Sequence, residues 1–116
     1  MRRGDCASVA GNMVIDGNGQ FILCHALVAG QQQLEGQRIF HSWAQMQDVV
    51  FDYSNGKKII MRKEKYYEIA KIKEEDIKKY NVDEVRKLLL KHRHWGPWDK
   101  ELEKYHKEEL KHANKM

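Results

Sequence analysis

The sequence predicts an α+β domain: an N-terminal helix packed on an antiparallel β-sheet meander, with helices at the C-terminus. Three observations predict it. Cys6, Val9, Ala10, Met13 and Val14 recur at the spacing of one helical face and run into Gly17-Asn18-Gly19, a strong stop. Residues 21–62 then hold four short runs bounded by turn residues, which read as strands. From residue 57 the composition changes, with 18 basic and 12 acidic groups interleaved as on solvated helices. A chain of 116 residues, 41% of them hydrophobic, supports a single core and one domain. Residues 1–62 form its helix-plus-sheet core and residues 63–116 its helical part.

Taken in order, the first helix covers roughly 5–16, with Asp5 as its N-cap. Gly11 weakens it by ~1 kcal/mol, a cost that suits a close approach by another backbone. Residues 21–30, Phe-Ile-Leu-Cys-His-Ala-Leu-Val-Ala-Gly, form the first strand, and the polar residues 31–36 a loop. Strands follow over 38–46, 48–53 and 58–62, the last two separated by the turn Ser54-Asn55-Gly56. Residues 63–72 place Tyr66, Ile69 and Ala70 on one helical face, whereas residues 73–80 carry no decisive pattern. Asn81, with Glu84 three residues on, forms a capping box that opens a helix through Val82, Val85, Leu88, Leu89 and His92. Gly96-Pro97 interrupts the chain, and Asp99 caps a last helix whose apolar stripe, Leu102, Tyr105, Leu110 and Ala113, is thin.

The net charge of +4 is unevenly spread: residues 1–56 balance at −2 and residues 57–116 at +6. The basic half makes a nucleic-acid binder a rival reading. Two cysteines, Cys6 and Cys24, are too few for a disulfide-stapled secreted domain and point to a reducing, cytoplasmic setting. No apolar run approaches the ~20 residues of a membrane span, and the basic start lacks the apolar stretch of a signal peptide.

The chemistry gathers around three residues. Cys6 falls in the first turn of a helix, where the dipole and the free N–H groups favour a thiolate. In a hairpin turning at Met46-Gln47, Gln45 faces Asp48, so opposed residues have numbers that sum to 93. His41 and Asp52 satisfy that sum, which sets them across from each other on one face, with Cβ atoms roughly 4.5–5.5 Å apart. A carboxylate there holds the imidazole through one ring N–H and leaves the other nitrogen basic. Trp43, two residues after His41, would cover the pair. Cys6 as nucleophile, His41 as base and Asp52 as orienting group form a catalytic triad, and the N–H groups of the first helical turn offer an oxyanion site.

This order of Cys, His and Asp on a helix and the strands after it resembles the core of the papain-like superfamily, particularly its small transglutaminase-like and bacterial cysteine-peptidase members. Within that superfamily the chain is similar to small phage and bacterial proteins with a Gly-Asp-Cys start. The matching landmarks are Gly4-Asp5-Cys6, the strand from Leu23 to Gly30, His41-Ser42-Trp43, Val50-Phe51-Asp52 and Gly96-Pro97-Trp98-Asp99. The resemblance implies a papain-like fold and attack by Cys6 on an acyl bond of a peptide or amide. Release of the acyl-enzyme by water makes a peptidase or amidase, and release by an amine makes a transferase. It implies no cofactor and no metal. Two departures stand out: papain has a glutamine upstream of its cysteine and a tryptophan after it. None of the five residues before Cys6 is Gln, and Ala7 follows it.

Plainer readings exist for the same residues. Cys6 fits the apolar face of its helix as a small core residue, and His41 fits a strand as a satisfied histidine. Such a chain would be a non-catalytic accessory or binding protein on the same fold. A zinc site from Cys6, Cys24 and His41 matches no zinc-module spacing, and Cys24 and His25 point to opposite faces of their strand. His92-Arg93-His94-Trp95-Gly96-Pro97-Trp98 mixes cations with aromatics as some nucleic-acid surfaces do. It reads more simply as a loop whose tryptophans anchor the last helix.

Overall fold

The computed structural model describes residues 5–30 and 36–115, with side chains as far as residue 111. Helix α1 (Cys6–Asp16) leads into strands β1 (Ile22–Ala29), β2 (Arg38–Met46), β3 (Val49–Asp52) and β4 (Ile59–Arg62). Helix α2 (Lys63–Ala70), strand β5 (Lys78–Tyr80) and helices α3 (Val82–His92) and α4 (Lys100–Lys115) complete the chain. The fold is α+β, as the sequence predicts. The strands form one antiparallel sheet in the order β4-β3-β2-β1-β5. The expected loop over 31–36 lies mostly outside the described residues. Among the described residues no helix is long and apolar enough to cross a membrane.

The pleat sorts the core into two layers. Cys24, Ala26, Val28, Trp43 and Val50 face α2, where Tyr66, Tyr67 and Ala70 cover them. Leu23 and Ala44 face the other way, against Ala10 and Val14 of α1, Val85 of α3 and Trp98. Cys6, Ala7, Phe40 and Leu102 extend that second layer to the N-terminal end of α1. Residues 73–80, undecided by pattern, form a 3₁₀ turn at Glu74–Asp76 and then β5, which pairs with β1 at Leu23–His25. A strand of Lys78-Lys79-Tyr80 shows no apolar alternation because it lies at the sheet's edge, with both lysines in solvent.

Three local expectations are corrected. Asp5 precedes α1 but does not cap it through its side chain; its Oδ1 accepts from the Asn55 N–H at 3.0 Å, across the fold. Gly11 is approached by a ring, not a backbone: a Cβ there would lie 2.3 Å from the indole of Trp95. The β2–β3 turn is Gln47-Asp48 and not Met46-Gln47, since Met46 pairs with Val49. Gln47 supplies the left-handed residue of this two-residue turn (φ 52°), a conformation usually advertised by Gly or Asn. Opposed residues therefore sum to 95 rather than 93.

The C-terminal part follows its local signals. Asn81 Oδ1 accepts from the Glu84 N–H, and Glu84 Oε1 accepts from the Asn81 N–H, both at 2.9 Å. Asn81→Ala should cost about 1 kcal/mol of stability in urea denaturation, with no effect on the chemistry of Cys6. Asp99 Oδ2 caps α4 by accepting from the N–H groups of Glu101 and Leu102. Trp98 is buried, with its indole N–H donating to the His94 carbonyl, and Trp95 lies on Gly11. The His92–Trp98 segment thus uses its tryptophans as anchors for α4, not as an exposed stacking surface. Along α4, Leu102 is buried while Tyr105 and Leu110 are exposed.

Candidate active site

His41 and Asp52 meet although they are not opposite each other. The observed register extended by one pair sets Asp52 across from Trp43, so His41 is its diagonal neighbour. The slip from the expected register is two residues, and an even slip keeps both side chains on one face. His41 Nε2–H donates to Asp52 Oδ2 at 2.7 Å.

The Asp52 carboxylate is more fully held than sequence reasoning could show. Oδ2 also accepts from the Tyr66 hydroxyl at 2.8 Å. Oδ1 accepts from the Ser54 hydroxyl at 2.8 Å and the Ser54 N–H at 3.2 Å. Four donors match the lone pairs of an ionised carboxylate. Burial favours the neutral acid, but His41 first, and then Ser54 and Tyr66, outweigh it and hold the carboxyl below its ordinary range. For His41, burial favours the neutral ring, yet its hydrogen bonds to Asp52 and Cys6 prevail and raise its proton affinity.

Cys6 reaches the pair from the other layer. The β2–β3 ladder ends at Ala44–Phe51, and after Asp52 the chain turns off through Ser54–Gly56, against which α1 packs. The contact between Asp5 and Asn55 seats the start of α1 at that gap. The Cys6 thiol lies near enough to the His41 ring to raise its proton affinity. Because Asp52 occupies Nε2, Nδ1 is the nitrogen left for sulfur. Cys6 is 8% exposed. The first α-helical bond runs from the Val9 N–H to the Asp5 carbonyl, so the N–H groups of residues 6–8 precede the helical ladder.

Trp43 is fully buried beside the pair, its ring stacked on His41 with centroids 6.3 Å apart. Gln45 fixes it: Gln45 Oε1 accepts from the Trp43 indole N–H at 3.2 Å, the Tyr67 hydroxyl at 2.9 Å and the Cys24 thiol at 3.8 Å. Cys24 is fully enclosed in that network, and burial pushes its thiol up to about 12. The two cysteines are thus unlike, one beside an imidazole and one inert in the core. Among the described residues no group of three or more His, Cys, Asp or Glu side chains is arranged to hold a metal ion, and Cys6, Cys24 and His41 do not form one.

The structure brings together the three residues singled out from sequence and adds Tyr66, Ser54 and Gln45. Ser54 carried a signal, since a hydroxyl two residues after an aspartate commonly bonds back to it. Tyr66 and Gln45 carried none beyond lying on an apolar face. No protein-family model, curated protein or solved structure matches this chain.

Proposed function

We propose that this protein is a thiol-dependent acyl-bond hydrolase or acyltransferase of papain-like architecture, acting on a peptide or amide with Cys6 as nucleophile. The observation that carries the reading is one imidazole held by a buried carboxylate at Nε2, with a helix-start thiol near enough to raise its proton affinity. In the proposed cycle the proton of the Cys6 thiol already rests on His41, and the thiolate sulfur attacks the carbonyl carbon. The oxyanion that forms is met by the N–H groups of the first turn of α1. His41 then protonates the leaving amine, and the C–N bond breaks to give a thioester. Water or a second amine, deprotonated by His41, releases the acyl group and restores the thiol. The scarcity of cysteines supports a reducing, cytoplasmic setting for such a thiol.

A second reading, a binding protein that retains the constellation without turnover, is favoured by the low exposure of Cys6. Iodoacetamide separates the two, with Cys24 as internal control. Modification at pH 6, read by peptide mass, is expected at Cys6 at least tenfold faster than for a free thiol, with Cys24 unmodified. Labelling of Cys6 no faster than a free thiol overturns the enzymatic reading.

A further inference from the structure

The Asp52 oxygen that holds His41 serves a second proton donor, and nothing in the three-residue reading accounts for it. We infer that Tyr66 is a positioning residue of this site: its hydroxyl shares Asp52 Oδ2 with His41 Nε2 and thereby sets how tightly the carboxylate holds the imidazole proton. The inference rests on reading Cys6, His41 and Asp52 as a catalytic unit, and it assigns a fourth side chain to that unit.

The geometry is direct. Tyr66 Oη–H donates at 2.8 Å and His41 Nε2–H at 2.7 Å into the same oxygen. Two donors on one oxygen compete, because each withdraws electron density the other would use. Ser54 occupies Oδ1, so the carboxylate has no spare acceptor for relief. Tyr66 touches the site a second time through its ring, whose centroid lies 5.1 Å from that of Trp43, the residue stacked on His41. Phenylalanine would fill the same space and keep that packing. The hydroxyl adds only the bond to Asp52, at the cost of burying another polar group.

The surroundings keep Tyr66 a donor. The titratable groups facing it are Asp52 of β3, Cys6 of α1 and Cys24 of β1, with His41 of β2 sharing its acceptor. Burial first, and then Asp52, push the phenol far above its ordinary range, so it holds its proton wherever the protein is folded. A permanent donor tempers Asp52 without ever exchanging a proton with it. Asp52 then steadies the imidazolium but does not trap the proton that His41 must hand to a leaving amine.

The test is the ¹⁵N NMR titration of the His41 ring in the intact protein, with thermal melting to verify folding. Tyr66→Phe should raise the His41 midpoint by about 0.5–1 pH unit, the equivalent of one lost hydrogen bond. 3-Fluorotyrosine at position 66, a stronger donor of nearly the same shape, should lower it. The alkaline fall in Cys6 alkylation by the anion iodoacetate, which follows the imidazolium, should move in step. A folded Tyr66→Phe protein with an unmoved midpoint overturns the inference, as do two variants that shift in the same direction. If Tyr66→Phe does not fold, the fluorotyrosine protein decides alone, and no downward shift overturns the inference. Opposite shifts with an unreactive Cys6 would retain Tyr66 as the tuner of His41 and remove the acyl-transfer reading.

Discussion

In His41→Ala, acylation of Cys6 by 4-nitrophenyl acetate at pH 7 is expected to fall by about 10²–10⁴-fold, read from the acetyl adduct trapped by acid. The loss is large because two contributions disappear together. In the proposed mechanism the sulfur loses both the group that takes up its proton and the cation, steadied by Asp52, that holds it as a thiolate. Asp52→Asn should cost far less, about tenfold, because the carboxamide oxygen still accepts from His41. Cys6→Ala should leave no adduct, since Cys24 is enclosed. Equal rates in the parent protein and His41→Ala would show that the imidazole does not act on the sulfur.

The second large effect is on stability against pH, where two histidines act with opposite sign. His25 sits on the α1 face of β1, enclosed by the rings of Phe40, Tyr80 and Trp98 and by the backbone of Gly96. Among the described residues neither of its ring nitrogens has a hydrogen-bond partner, and burial lowers its pKa to about 3. Between about 3 and 6.5 the unfolded chain therefore binds a proton that the native protein refuses, and stability falls as the solution is acidified. His41 does the reverse. Its affinity is raised to about 10, and where Cys6 supplies that proton the native and unfolded chains hold equal numbers until the unfolded thiol ionises at about 8.5. Beyond that the native protein keeps a proton the unfolded chain gives up, and stability falls as pH rises. Asp52, held low, contributes fully above about 4 and loses its contribution only in stronger acid.

Urea unfolding free energies should thus be highest between about pH 6.5 and 8.5, with each histidine adding a slope of up to about 1.4 kcal/mol per pH unit on its own side. His25→Leu should flatten the acid arm and His41→Ala the alkaline arm. An acid arm unchanged in His25→Leu would show that other groups govern that side.

The local parts of this fold were legible because their signals are local. The Asn81–Glu84 box, the stop after α1 and the strand of residues 38–46 depend on neighbours within a few residues. The hairpin register was misplaced by two because Gln47 takes a left-handed conformation that its identity does not announce. Strand β5 was illegible because an edge strand of lysines needs no apolar alternation. At the site, His41 and Asp52 could be paired from parity alone. Tyr66 could not be found, because a core tyrosine reads the same whether its hydroxyl meets water or a carboxylate 14 residues away. Asp5 misled for a related reason: a good capping residue was recruited by Asn55, 50 residues on.

The two-residue connection at Gln47-Asp48 has a bearing on how this protein can vary. Because side chains alternate along a strand, the contact between His41 and Asp52 depends on the register of β3 against β2, and little on which residues make the turn. Substitutions there are cheap, and glycine or asparagine at position 47 would relieve the backbone. A change that slid β3 by a single residue against β2 would turn Asp52 to the opposite face and strand the imidazole, while leaving a hairpin in place. Descendants of this sequence can therefore drift freely in the letters of that loop while the register it joins stays pinned.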